Sequence, residues 1–151
     1  MYSIQCDKNL INVLTKEFSN LKINADIKVF ENKKTDISII RSSENLNTDA
    51  DYIIINSDDK TLMKKIKESN GKIITCGLST RSTVTFSSIS ESESVMCVQR
   101  SIISPAGTKI LPFELPFKCC GRCFDEVSIL MIITAALLCG AEPSQLRKIY
   151  L

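Results

Sequence analysis

Two short β-branched runs separated by a segment of helical period constrain the fold of this chain most. Residues 52–55 read Tyr-Ile-Ile-Ile and residues 72–75 read Lys-Ile-Ile-Thr, while residues 61–68 place apolar side chains three and four positions apart. This order predicts a β-α-β unit, in which two parallel strands are joined by a right-handed crossover. Such units usually bind ligands beyond the carboxyl ends of their strands, which here are residues 56–59 and 76–79.

The sequence before this unit predicts three further strands and a helix. Residues 9–21 repeat apolar side chains at helical spacing, and Asn9 is the predicted N-cap. The three strands are predicted at residues 2–5, 25–30 and 36–41. The pattern leaves open whether the last two pair as a hairpin or lie apart in the sheet.

After residue 83 the apolar period becomes two, which predicts antiparallel strands. They are expected at residues 83–89, 94–103 and 109–117. The apolar side of the last strand carries Leu111, Phe113, Leu115 and Phe117. Pro112 and Pro116 lie on its opposite side, and because proline has no N–H to donate, this strand should lie at a sheet edge. An almost wholly apolar helix is predicted at residues 124–140, and Pro143 begins a short final helix.

Length and charge limit the class of protein to which this chain can belong. A chain of 151 residues can form one α/β domain with a core, here residues 1–151. Its 19 Lys and Arg and 17 Asp and Glu are interspersed and leave a net charge of +2. Charge therefore predicts neither nucleic acid nor a membrane as a partner. The longest apolar run, residues 127–139, is shorter than the about 20 residues that a membrane span needs.

Histidine is absent, and there are seven cysteines. The absence of histidine removes His general-base catalysis and the Ser-His and Cys-His nucleophile pairs. The odd cysteine count, together with an N-terminus that does not resemble a signal peptide, favours free thiols in a cytoplasmic protein.

A family resemblance rests on the central unit and on the residues after it. The strand ending in Asn56-Ser57-Asp58-Asp59, the helix, the strand Ile-Ile-Thr-Cys-Gly and the strand Thr-Val-Thr-Phe-Ser-Ser-Ile are together similar to the later half of the central domain of the Mur ligases. Those enzymes are ATP-dependent amide ligases that add amino acids to the peptidoglycan precursor. The resemblance continues through the antiparallel strands and the apolar helix, and it implies a truncated central domain.

The resemblance also implies a degenerate nucleotide site. Mur ligases hold the ATP phosphates with a glycine-rich loop ending in Gly-Lys-Ser/Thr, whereas Gly71-Lys72 is followed here by isoleucine. The family's His-Asn pair at the start of the long C-terminal helix is also lost, because residues 119–125 read Cys-Cys-Gly-Arg-Cys-Phe-Asp. We therefore expect no ATP hydrolysis, no ligase activity and no cofactor.

Three residues match positions that lie beside the adenine in the family: Asn56, Asp58 and Asp59. Side chains of Asn and Asp can hydrogen-bond to the amino group or a ring nitrogen of adenine, so a weak nucleotide contact through the base is predicted. The alternative is that Asp58 or Asp59 caps the helix that follows. The two roles are compatible.

Cys120 and Cys123 form a Cys-x-x-Cys sequence directly before the apolar helix. A helix N-terminus and the neighbouring Arg122 would both stabilise a thiolate, so a redox pair is one interpretation. The others are two semi-buried structural thiols or a metal site, and zinc would need more ligands than Cys119 can add.

The sequence favours a single α/β domain with a short, mainly parallel sheet, a three-stranded antiparallel extension and a C-terminal helix pair. The first functional hypothesis is a non-catalytic binding or interaction protein. The alternatives are an adenine-nucleotide-binding module and a thiol-redox protein that uses Cys120 and Cys123. We also expect a homo-oligomer or a protein partner, contacted through the parallel part of the sheet, because the domains that cover a Mur ligase sheet are missing.

Overall fold

The computed structural model describes residues 1–44, 47–118 and 125–147. These residues contain ten strands: β1 (Tyr2–Cys6), β2 (Ala25–Val29), β3 (Thr35–Ile40), β4 (Ala50–Asn56), β5 (Lys72–Cys76), β6 (Val84–Ser88), β7 (Ser94–Val98), β8 (Ile102–Ile103), β9 (Lys109–Ile110) and β10 (Phe113–Phe117). They also contain four α-helices: α1 (Lys8–Asn20), α2 (Lys60–Lys65), α3 (Glu126–Leu138) and α4 (Pro143–Leu146). A 3-10 turn, Ile66–Glu68, continues α2.

Eight strands form one sheet in the order β10-β7-β6-β5-β4-β3-β1-β2. The six strands from β6 to β2 run parallel to one another, and β7 and β10 are antiparallel to their neighbours. The short strands β8 and β9 pair separately. The predicted class is confirmed: a mainly parallel sheet with helices, an antiparallel extension in β6, β7 and β10, and a C-terminal helix pair in α3 and α4.

Helices cover both faces of the sheet. On one face α1 packs against β2, and α3 packs against β3, β4, β5 and β6. Every side chain of α3 from Ser128 to Leu138 is buried, as its apolar sequence predicts. On the opposite face α2 covers a smaller core, in which Leu62 and Ile66 pack on Ile53 and Ile55. The main core therefore lies between the sheet and the pair formed by α1 and α3.

The strands predicted at residues 25–30 and 36–41, whose pairing the sequence left open, do not form a hairpin. Strands β2 and β3 lie on opposite sides of β1, and both are parallel to it. Residues 30–34 must therefore cross over β1. Buried Gln5 holds this crossing, because its Oε1 accepts hydrogen bonds from the backbone N–H of Glu31 at 3.1 Å and from Asn47 Nδ2. Asn47 also donates to the Lys33 carbonyl at 2.9 Å.

Three predicted details are wrong. The N-cap of α1 is Asp7 and not Asn9, because the Asp7 carboxylate accepts the Asn9 N–H at 2.9 Å. The strand predicted at residues 94–103 is two strands, β7 and β8, and the one predicted at residues 109–117 is β9 and β10. Leu111, predicted on the apolar side of the last strand, lies in the second break next to Pro112 and is 61% exposed. The edge prediction is confirmed, since β10 ends the sheet.

Candidate functional site

The order of the parallel strands reverses between β1 and β3. From β1 the chain moves outward to β2, whereas from β3 it moves the other way to β4 and β5. In an open parallel sheet this switch point leaves a crevice beyond the carboxyl ends of the strands, where ligands usually bind. Asp7 follows β1, Arg41 follows β3 and Asn56 ends β4 at this crevice.

Asp7 and Arg41 form a two-point ion pair across the switch point. Arg41 Nε donates to Asp7 Oδ2 at 2.6 Å, and Nη2 donates to Oδ1 at 2.8 Å. The Arg41 side chain is only 24% exposed and the Asp7 side chain only 22%. The third guanidinium nitrogen, Nη1, donates to Ser128 Oγ at 3.2 Å. The pair therefore ties together the ends of β1 and β3 and the first turn of α3.

Two long helices begin at this crevice, and each is capped by its own aspartate. Asp7 caps α1, and Asp125 caps α3 by accepting the Ser128 N–H at 2.7 Å. Free N–H groups at helix N-termini attract anions such as phosphate. Here a carboxylate of the chain already occupies each of these positions.

The resulting cleft has a volume of about 410 Å³, which suits a small ligand. Its lining consists of Asp7, Lys8, Asn9, Arg41, Ser42, Glu44, Asn56, Asp125, Val127, Ser128 and Met131. Three carboxylates and two cations are among these side chains, so their charges nearly cancel. Val127 and Met131, on α3, provide an apolar part of the wall.

Asn56, Asp58 and Asp59, the predicted adenine-side residues, have different environments. Only Asn56 lines the cleft, where its Nδ2 donates to the Arg41 carbonyl at 3.4 Å and its Oδ1 accepts the Asp58 N–H at 3.0 Å. Asp59 caps α2 by accepting the Leu62 N–H at 3.0 Å, so the capping prediction is confirmed for this residue. Whether the three residues contact an adenine stays a prediction.

The carboxyl end of β5 is filled by the chain itself. Asp58 Oδ2 accepts the Leu78 N–H at 2.9 Å, and the Ser57 and Ser82 hydroxyls lie 2.8 Å apart. A Cβ atom added to Gly77 would come within 2.6 Å of Asp58 Oδ1 and of Ser57 Oγ. Asp58 therefore joins the loops after β4 and β5, and the open space lies over β1, β3 and β4 instead.

Sequence reasoning missed Asp7 and Arg41. The rule that directed attention to the ends of residues 52–55 and 72–75 applies equally to the first and third strands. Each of those strands is followed at once by a charged residue, which was the available signal.

The described cysteines are poor nucleophiles. Burial raises the pKa of Cys6, Cys76 and Cys139 to about 12, with the Asp7 carboxylate adding to the effect at Cys6 and Asp36 at Cys139. Burial, helped by Glu114, also raises the pKa of Cys97. A thiol must ionise to react, so the three buried thiols, Cys6, Cys76 and Cys139, are unsuited to redox chemistry at neutral pH. The predicted pair Cys120 and Cys123 lies outside the described residues.

Comparison with known proteins adds no assignment to this geometry. No protein-family model matches the chain, and no curated protein matches it either. The kinship with Mur ligases stays a prediction. Within the described ranges, no cluster of three potential metal ligands is present, and no helix is long and apolar enough to cross a membrane.

Proposed function

We propose that this is a cytoplasmic, non-catalytic binding protein that holds a small, neutral, polar ligand of the adenine nucleoside class in the switch-point cleft. The observation that carries the proposal is the cleft between β1 and β3, with its paired Asp7 and Arg41 and its two aspartate-capped helices. Kinship with a Mur-type central domain would account for a nucleoside site that has lost its phosphate loop.

The electrostatics of the cleft favour a neutral ligand over a phosphate. Arg41 donates from Nε and Nη2 to Asp7 and from Nη1 to Ser128, and the Asp7 carboxylate compensates its charge, so the guanidinium has little net attraction for an anion. A phosphate about 5 Å from Asp7 or Asp125 would be repelled by about 3 kcal/mol per carboxylate at an effective dielectric constant of about 20. The aspartates that complete the two helix N-termini therefore disfavour the triphosphate of a nucleotide.

The polar groups that remain suit a nucleobase. An asparagine amide offers a donor and an acceptor that match adjacent positions of adenine. The bond from Asn56 Nδ2 to the Arg41 carbonyl is long, at 3.4 Å, so little is lost when the amide exchanges it for a ligand. The Val127 and Met131 side chains offer apolar contact to the base. Adenosine is thus the simplest ligand that uses both kinds of surface.

The proposal is tested by calorimetric titration with adenosine, guanosine, and ATP with and without magnesium. We expect adenosine to bind, guanosine to bind more weakly, and ATP to bind no better than adenosine. The variant Asn56→Ala should lose at least about tenfold in affinity, about 1.4 kcal/mol. Asn12→Ala is the matched control, because Asn12 is exposed on α1 and does not line the cleft.

Two outcomes would contradict the proposal. ATP binding at least about tenfold tighter than adenosine would show a phosphate site that the capped helices should not provide. Absence of adenosine binding at millimolar concentration, in a protein whose melting curve shows it to be folded, would remove the ligand class altogether.

A further inference from the structure

The two edges of the main sheet differ in their ability to accept another strand. At one end of the sheet, Pro112 directly precedes β10 and Pro116 lies within it. The two prolines are an even number of positions apart along the strand, and neither has an N–H to donate. At the other end, β2 (Ala-Asp-Ile-Lys-Val) contains no proline, and no described residue pairs with its outer side. An open edge of this kind is a template for strand pairing.

The groups that face outward from β2 follow from its pairing with β1. The Tyr2 N–H donates to the Asn24 carbonyl at 3.1 Å, so the polar groups of Asn24 point towards β1. Backbone groups alternate sides along a strand. The N–H and C=O groups of Ala25, Ile27 and Val29 therefore point away from β1 and lie along the free edge.

We propose that β2 pairs with β2 of a second copy of this chain, antiparallel and about a twofold axis through Ile27. In this register Ile27 lies opposite Ile27 of the second copy, and Ala25 lies opposite its Val29. All three outward-facing residues then form hydrogen-bonded pairs, and one continuous sheet runs through both copies. The contact needs no ligand and stands independently of the cleft.

The charges on β2 favour this register over registers shifted by one or two residues. Asp26 and Lys28 share the sheet face opposite α1 and are exposed, at 41% and 55% of their side chains, with Lys28 Nζ 3.0 Å from Asp26 Oδ2. The twofold at Ile27 places each Asp26 opposite Lys28 of the other copy. A shift by two residues in either direction would place Asp26 opposite Asp26, or Lys28 opposite Lys28, which is destabilising. A shift by one residue would turn the free N–H groups away from their acceptors.

On the sheet face that α1 covers, the β2 edge has an apolar groove that can receive a side chain of the second copy. Between α1 and β2 lies a groove of about 410 Å³, whose apolar lining includes Phe18, Ile23, Ala25 and Ile27. Val29 is 46% exposed, at the end of the same strand. Because the proposed register places Val29 of the second copy opposite Ala25, its side chain projects on the face where this groove opens. Each copy would therefore bury its exposed valine against the groove of the other.

The test measures self-association by sedimentation equilibrium and light scattering over a wide range of concentrations. Wild-type protein should be dimeric. Lys28→Asp leaves only acidic charges on the edge and Asp26→Lys leaves only basic ones, so each variant alone should weaken the dimer at least about tenfold. An equimolar mixture of the two should form a heterodimer, and the double exchange Asp26→Lys with Lys28→Asp should restore the homodimer.

Two controls separate this contact from general charge or folding effects. Lys34→Asp changes the same charge at the exposed Lys34–Asp51 pair, away from the β2 edge, and should leave the dimer unchanged. Val29→Pro removes an outward N–H and should give a folded monomer, with an unchanged circular dichroism spectrum. A monomeric wild type at high micromolar concentration, unchanged association of Lys28→Asp, or a mixture that does not associate would each overturn the proposal.

Discussion

The ion pair between Asp7 and Arg41 allows a quantitative test of the site geometry. The perturbation is a double-mutant cycle of Asp7→Asn and Arg41→Met. Asparagine keeps the capping oxygen for α1, and methionine keeps most of the arginine stem while removing its charge. The cycle therefore isolates the interaction between the two charged groups and leaves the helix cap in place.

The magnitude follows from burial and geometry. Exposed pairs contribute about 0.2–1 kcal/mol, whereas breaking a fully buried pair costs about 3–5 kcal/mol. With 24% and 22% exposure and two short hydrogen bonds, this pair lies between those limits. We expect a coupling energy of about 2 kcal/mol. Arg41→Met should be the more costly single change, because it also removes the hydrogen bond from Nη1 to Ser128, whereas Asp7→Asn keeps an acceptor oxygen.

Urea denaturation at 25 °C, followed by circular dichroism, measures the four free energies of unfolding. The coupling should persist in high salt, because a mostly buried pair is screened less than an exposed one. A coupling energy below about 0.5 kcal/mol would be typical of a solvated surface pair. That result would refute both the closed geometry of the pair and the inference that Asp7 compensates the charge that Arg41 presents to an anionic ligand.

Two further changes test the packing and the buried charge of the fold. Gly71→Ala should destabilise the protein by about 2–3 kcal/mol, because the new Cβ would lie 2.4 Å from the Ala50 carbonyl oxygen; thermal melts that match wild type would contradict this close approach. Glu17 is 3% exposed, and burial raises the pKa of its carboxyl. The folded protein therefore holds this proton more tightly than the unfolded chain does. The free energy of unfolding of the wild type should fall as pH rises from the unfolded pKa of Glu17 to its folded pKa. Glu17→Gln should remove that slope and be the more stable protein at pH 7, and an unchanged pH profile would contradict the burial of this carboxyl.

Much of the fold follows from local periodicity. The strands around residues 52–55 and 72–75 and the apolar helix at residues 124–140 are recognisable because their patterns repeat within a short window. The position of β2 and β3 on opposite sides of β1 is not local. It depends on Gln5, Asn47 and the backbone of Glu31 and Lys33, which are distant in sequence and make their hydrogen bonds only in the folded chain.

The site was predictable in kind but not in position. Sequence reasoning expected polar residues at the carboxyl ends of parallel strands, and Asn56 is one of them. It placed the site over β4 and β5, but Asp58 and Gly77 pack the loops together at the end of β5, and the cleft lies over β1, β3 and β4. The switch point between β1 and β3 depends on the strand order, which the pattern of single elements does not contain.

The dense burial of α3 has a consequence for synthesis on the ribosome. This helix follows, along the chain, all four of the strands that it covers, β3 to β6. At about 5–20 residues per second, those strands emerge several seconds before the helix that shields them. During that interval their apolar face is open to solvent, so nascent chains that stop before Glu126 are the species we expect to recruit chaperones or aggregate. The sheet can fold as one cooperative unit with α3 only after α3 has been synthesised.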